Sequence, residues 1–174
     1  MILEIAYYGN PILRKKALPV TDINNEIKQL VKDMIETMDL LNGLGLAAPQ
    51  IKKSLRLFVT RECEFDESDR AHMGDVKVYI NPSIISLSEN FEFDTEGCLS
   101  IPKIFEEVER PIGVVVEAMN LKGETFREEL YGLKARAILH ENDHLNGVLF
   151  VDRLDKYIKK DIAILLSKIK KKYN

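Results

Sequence analysis

The segment His140-Glu141-Asn142-Asp143-His144 constrains this chain more than any other. It is an H-E-x-x-H pattern inside a stretch that reads as helix from Gly132 onward. In a helix, residues four apart lie one turn above each other on one face, so the two imidazoles can share one metal ion. Glu141 then sits where its carboxylate can exchange a proton with a water at that ion. The chain has three histidines, and two are used here. A catalytic metal normally takes three protein ligands, so the source of the third decides between a site and a chance pattern.

The obvious continuation fails. After His144 the chain runs Leu145-Asn146-Gly147-Val148-Leu149-Phe150, which follows the metzincin pattern to Gly147 and then puts Phe150 where a third histidine belongs. A carboxylate from a following helix would have to be Asp152, Asp155 or Asp161, all in a charged stretch that reads as solvated. The remaining histidine, His72, falls in the polar segment from Glu62 to Asp75 and reads as a loop residue. Of the two cysteines, Cys63 lies among Glu62, Glu64 and Asp66 in that same stretch, where acidic neighbours oppose thiolate formation. It too reads as a loop residue. Cys98 sits in Glu96-Gly97-Cys98-Leu99-Ser100-Ile101-Pro102, where Gly97 permits close approach of another element. A cysteine is most often a small buried hydrophobe, yet a Cys-His-His set would complete a three-ligand site with one position open.

Another glycine segment invites a different reading. Gly43-x-Gly45-x-x-Ala48 satisfies the letter of the dinucleotide fingerprint, which requires a strand before it and a helix after it. Here a helical pattern precedes it, and Pro49 and a strand-like Leu55–Val59 follow. The order is inverted, and nucleotide binding is excluded.

Apolar residues at Ile27, Leu30, Val31, Met34, Ile35, Met38 and Leu41 recur at helical spacing, with Asn24 or Asp22 as the cap and Gly43 as the end. From residue 55 to about 131 short β-rich runs follow: Leu55–Thr60, Val76–Asn81, Gly113–Met119 and Thr125–Leu130. Leu121-Lys122-Gly123-Glu124 reads as the hairpin loop between the last two. A final amphipathic helix places Leu154, Tyr157, Ile158, Ile162, Leu165, Leu166 and Ile169 on one face. The fold class expected is α+β: antiparallel β-sheets packed around a central metal-binding H-E-x-x-H helix, with an N-terminal and a C-terminal helix. One domain over 1–174 is expected, with a basic amphipathic helix over about 153–173.

Three separated motifs resemble the peptide deformylase family: Gly43-Leu44-Gly45-Leu46-Ala47-Ala48-Pro49-Gln50, Glu96-Gly97-Cys98-Leu99-Ser100, and His140-Glu141-Asn142-Asp143-His144-Leu145-Asn146-Gly147. Asn10-Pro11-Ile12-Leu13-Arg14 and Ala17-Leu18-Pro19-Val20 resemble the family's start. The resemblance implies removal of the N-formyl group from the methionine of new polypeptides. It implies that Cys98, His140 and His144 bind the metal and Glu141 is the general acid/base. It further implies that the Gln50 side chain and Leu99 N–H stabilise the oxyanion, and that Gly45 hydrogen-bonds the substrate backbone. Leu44, Leu133 and Ala137 are expected walls of a methionine pocket. The family favours Fe2+, with Zn2+, Ni2+ or Co2+ as substitutes; one thiolate and two imidazoles suit any of these. Three departures touch the pocket wall and the motif's flanks: Leu139 where a Gln is frequent, Asn142 at a usually apolar position, and Phe105 in place of an Arg. A general zinc peptidase and a non-catalytic binding member are the alternatives.

With 45% apolar and 30% charged residues, composition is that of an ordinary globular protein. Two cysteines make no disulfide framework. No signal peptide or membrane-length apolar run is visible, so the cytoplasm is the expected compartment, without membrane attachment. A net charge of −3 argues against DNA binding by the body of the protein. The C-terminal helix differs, carrying Lys156, Lys159, Lys160, Lys168, Lys170, Lys171 and Lys172. Such a run is usually a solvated face; given N-formyl-methionyl nascent peptides as substrate, docking of this helix on the ribosome is a further expectation.

Overall fold

The computed structural model describes residues 1–68 and 70–173. Helix α1 spans Asn25–Leu40, and the Asn24 side chain caps it by accepting from the Glu26 and Ile27 N–H groups. Its end differs from expectation. Asn42, at φ 53°, takes the left-handed position, and the Gly43 N–H then closes on Met38 O at 2.9 Å. Asparagine tolerates that conformation. Gly43 is instead needed for close approach, since a Cβ there would lie 3.0 Å from a Leu99 methyl carbon.

Seven strands follow the helix: β1 Gly45–Ala47, β2 Leu57–Phe65, β3 Ala71–Leu87, β4 Phe91–Cys98, β5 Ile101–Pro111, β6 Gly113–Met119 and β7 Thr125–Tyr131. A five-stranded sheet runs in the order β1-β2-β3-β6-β7, and β4 and β5 form a separate ribbon. All named pairings are antiparallel. Helix α2 spans Gly132–Leu145 and α3 spans Lys156–Tyr173. The α+β class read from the sequence is the class observed.

Strand alternation assigns the helices to opposite faces of the large sheet. Leu57, Val59 and Ile80 pack with Val31, Met34 and Met38 of α1. Phe58 and Tyr79 turn the other way, joining Val114, Val116 and Ala118 against Ala135, Ile138, Leu139 and Leu145 of α2. A third cluster seats Ile162, Leu166 and Ile169 of α3 on Ile101, Ile104 and Val108 of β5. Helix α2 therefore lies between the large sheet and the ribbon, contacting both.

Four expectations are corrected. Residues 62–65 and 71–75 are paired strand, not loop: Cys63 pairs with Met73 and Glu64 with His72. Their charges sit on a solvent-washed ladder, Lys134 pairing with Glu64 and Arg61 with Asp39, so no alternation marks them in sequence. The pairing also makes Cys63 a buried strand residue. Strands β4 and β5 were not anticipated, because acidic residues interrupt both runs (Glu92, Asp94 and Glu96 in β4; Glu106, Glu107 and Glu109 in β5) and hide the apolar alternation. In α3, Tyr157 and Leu165 are exposed, and the buried stripe is narrower: Ile162, Leu166 and Ile169. The hairpin turn before β7 forms as expected, with Asn120 Oδ1 accepting from the Lys122 and Glu124 N–H groups and Gly123 at φ 80°.

Candidate metal centre

Two elements meet at the centre. Helix α2 carries His140 and His144, their rings 5.0 Å apart. Strand β4 ends at Cys98, whose Sγ lies 3.3 Å from His144 Nε2. One donor atom from each of Cys98, His140 and His144 falls within a set no wider than 4.8 Å, the one such cluster among the described residues. The thiol and imidazole donors match the coordination preferences of a first-row transition metal.

The His140 ring is fixed from behind. His140 Nδ1 lies 2.9 Å from Glu96 Oε2, leaving Nε2 as its free donor, an arrangement that sets tautomer and orientation at metal sites. Glu96 is itself held by Arg110, through Nε and through a second guanidinium nitrogen at 2.9 Å, and by Arg136 at 3.0 Å. Arg110 reaches onward to Asp143 at 2.9 Å, and Asp143 accepts two 2.6 Å bonds from Arg153. Burial opposes charge on Glu96, but the Arg110 and His140 hydrogen bonds outweigh it and hold its pKa well below the usual carboxylate range.

Glu141 is environmentally the opposite case. Its carboxylate is buried, Oε2 has no hydrogen-bond partner, and burial pushes its pKa up to about 7. Gly45 lies directly against it: a Cβ there would stand 2.3 Å from Glu141 Oε1. Gln50, also buried, uses Oε1 to accept from the Ala47 N–H at 2.8 Å. That anchors the amide so that Nε2 points at Cys98 Sγ, 3.4 Å away, and at Ser100 Oγ, 3.3 Å away. The orphaned Glu141 oxygen, the directed Gln50 amide and the clustered donors together fit a metal held by Cys98, His140 and His144.

A cavity of about 500 Å³ opens onto these groups. Leu44, Gly45, Gln50, Cys98, Leu99, Leu133, Ala137, His140 and Glu141 all line it, so the structure gathers nearly every candidate residue at one place. His144 lies buried just behind them. The discarded ligands lie away from the cluster. Asp152 pairs with Arg14, Asp155 caps α3, Asp161 is exposed, and His72 sits 2.9 Å from Asp66 on β3. Of the three departures, Leu139 is buried against the sheet, Asn142 is half-buried on α2, and Phe105 lines the cavity rim.

Sequence reasoning missed Arg110, Arg136, Asp143 and the orienting part of Glu96. The one available signal was that α2 lacks a polar face. An Arg and an Asp on a helix meant for the interior require buried partners.

Fold and site together define a class: a metal hydrolase whose ligand pair and carboxylate ride one buried helix, with a cysteine supplied by a flanking ribbon. Comparison with known proteins makes this specific. The family described as polypeptide deformylase matches residues 2–160. A peptide deformylase of Pseudothermotoga lettingae is 45% identical over 152 residues, 87% of this chain and 82% of that one. The crystal structure of a peptide deformylase from Legionella pneumophila superposes with a TM-score of 0.86 at 37% identity, covering 98% of this chain and 96% of that one. A Met-Ala-Ser-bound class I type b peptide deformylase from Acinetobacter baumannii gives 0.83 at 36% identity, covering 88% and 99%. The chain belongs to the polypeptide deformylase family.

Proposed function

We propose that the protein removes the N-formyl group from the N-terminal methionine of newly synthesised polypeptides, releasing formate. One observation carries this reading: the Cys98, His140 and His144 donors converge beside the unpartnered Glu141 oxygen and the Gln50 amide, in one peptide-sized cavity. Cys98, His140 and His144 would hold a single metal, Fe2+ by preference, with Zn2+, Ni2+ or Co2+ able to replace it. When bound, that metal would supply Lewis acidity beside Glu141 and Gln50.

The remaining chemistry belongs to side chains. Glu141 takes a proton from the attacking water, whose oxygen joins the formyl carbon. The same carboxyl then delivers the proton to the departing amine as the C–N bond breaks. A pKa near 7 suits both tasks. The Gln50 amide and the Leu99 N–H meet the negative charge that develops on the formyl oxygen; one such donor is worth about 3–4 kcal/mol. Strand β1 stands at the edge of the large sheet, so an extended peptide can add along Gly45 by backbone hydrogen bonds. Leu44, Leu133 and Ala137 wall the pocket for the methionine side chain. The known Met-Ala-Ser complex of the Acinetobacter protein supports a short methionyl peptide as occupant.

The protein acts as one catalytic unit over 1–174 and works in the cytoplasm. Its basic helix α3 docks on the ribosome; co-sedimentation that is absent or unaffected by salt would remove this element. The reading as a whole is tested by formate release from an N-formyl-methionyl peptide, using protein purified without oxygen and loaded with Fe2+ or Ni2+. Formate from the formylated peptide, and none from acetylated or unblocked controls, is expected. No formate from metal-replete protein would overturn it.

A further inference from the structure

The β4–β5 ribbon has two unlike faces. Inward it presents Glu96, Val108 and Arg110, all buried. Outward, Phe91 pairs with Pro111, Phe93 with Glu109 and Thr95 with Glu107, and paired residues share a face. Phe105 joins them at the cleft end. Its ring covers Gly97 so closely that a Cβ on Gly97 would stand 2.5 Å from it. Phe91, Phe93 and Phe105 are 56%, 65% and 67% exposed. Phe105, Thr95 and Gly97 also line the cavity, so an apolar stripe starts in the cleft wall and runs outward along β4. From Gly97 to Phe91 it extends roughly 20 Å, at about 3.3 Å per strand residue.

On the strength of the deformylase reading, we propose that this outer face is a docking track for the substrate polypeptide downstream of the residues held in the cleft. Continuity selects that occupant over others: a chain leaving the cleft past Phe105 crosses Thr95, itself part of the cavity wall, and then meets Phe93 and Phe91. Alternate side chains of an extended peptide recur at the spacing of a strand, which is the spacing of these rings. Glu107 and Glu109 flank the stripe on β5, opposite Thr95 and Phe93, so the track favours apolar and basic side chains and disfavours acidic ones.

The test compares kcat/KM of the metal-loaded enzyme on three N-formyl-methionyl peptides. One is a tripeptide, one a nonapeptide with Phe, Leu and Lys in its distal half, and one a nonapeptide with Asp and Ser there. The apolar-basic nonapeptide should exceed the tripeptide by about tenfold, through KM, and the acidic one should show no gain. Phe91→Ser/Phe93→Ser should abolish the gain and leave tripeptide turnover unchanged. Should that variant fail to fold, Glu107→Lys/Glu109→Lys serves instead, and should transfer the gain to the acidic nonapeptide. Absence of a length-dependent gain in the wild type, or the same gain in the variants, would overturn the proposal. A concentration-dependent dimer dispersed by Phe91→Ser/Phe93→Ser, with no such gain, would assign the stripe to a second copy and overturn it too. No turnover of even the tripeptide would overturn the underlying deformylase reading, a distinct failure.

Discussion

Glu141 and Gly45 illustrate how single residues set this site. The Glu141 carboxylate is buried with one oxygen unpartnered, an unfavourable state unless a ligand uses it. Replacing it should free the reaction of its proton carrier without touching the three metal donors. Glu141→Ala is expected to retain metal and lose about two orders of magnitude or more in kcat; metal analysis alongside formate release checks both halves, and near-normal turnover would sink the role. Gly45 is small for a reason unrelated to backbone freedom. Any side chain there meets Glu141 Oε1 at 2.3 Å, so Gly45→Ala must rotate the carboxylate aside. We expect a folded, metal-binding protein with kcat down by about tenfold to a hundredfold, since misplacing a catalytic group by about an ångström has that effect. Unaltered kcat would show that Glu141 yields without consequence.

At the scale of elements, α2 is an interior helix that carries charge. Among its buried residues are Arg136, Glu141 and Asp143 beside both histidines. Such a helix is stable in the interior only because the β4–β5 ribbon supplies Glu96 and Arg110 in return. Removing one partner from a buried charge network leaves the others uncompensated, a loss of about 3–5 kcal/mol. Glu96→Gln should lower the urea midpoint at pH 7 accordingly. Because the folded pKa of Glu96 is depressed, this stability is fully present above its unfolded value of about 4.3. It is lost as pH falls through the lower folded value. The gap between wild type and Glu96→Gln should therefore persist at pH 5 and narrow only in stronger acid. A gap constant down to pH 2 would argue that packing, not charge, is lost.

For the whole molecule, a metal bound by Cys98, His140 and His144 would tie the ribbon to the central helix and so stabilise the folded state against the unfolded one. Metal-loaded protein should melt above chelator-treated protein, and formate release should stop on stripping. Cys98→Ser should lower metal content and shrink that difference in Tm. Cys63→Ser, on the far hairpin, should leave both unchanged. Metal loss in the Cys63 variant would place Cys63, and not Cys98, at the metal.

What the sequence determined by itself follows from short-range physics. The period of Val31, Met34 and Met38, the Asn24 cap, the Asn120–Glu124 turn and the four-residue spacing of His140 and His144 depend on near neighbours in the chain, so they were legible. Cys98 was legible only as one of two cysteines, set apart by the adjacent Gly97, while Cys63 lies directly between Glu62 and Glu64. The tertiary structure alone decided that Glu96 orients His140, that Arg110 joins Glu96 to Asp143, that 62–65 pairs with 71–75, and that an aromatic stripe leaves the cleft. Each depends on contacts between residues far apart in the chain. Pairing partners and burial there are set by how the ribbon folds over α2, which no local pattern encodes.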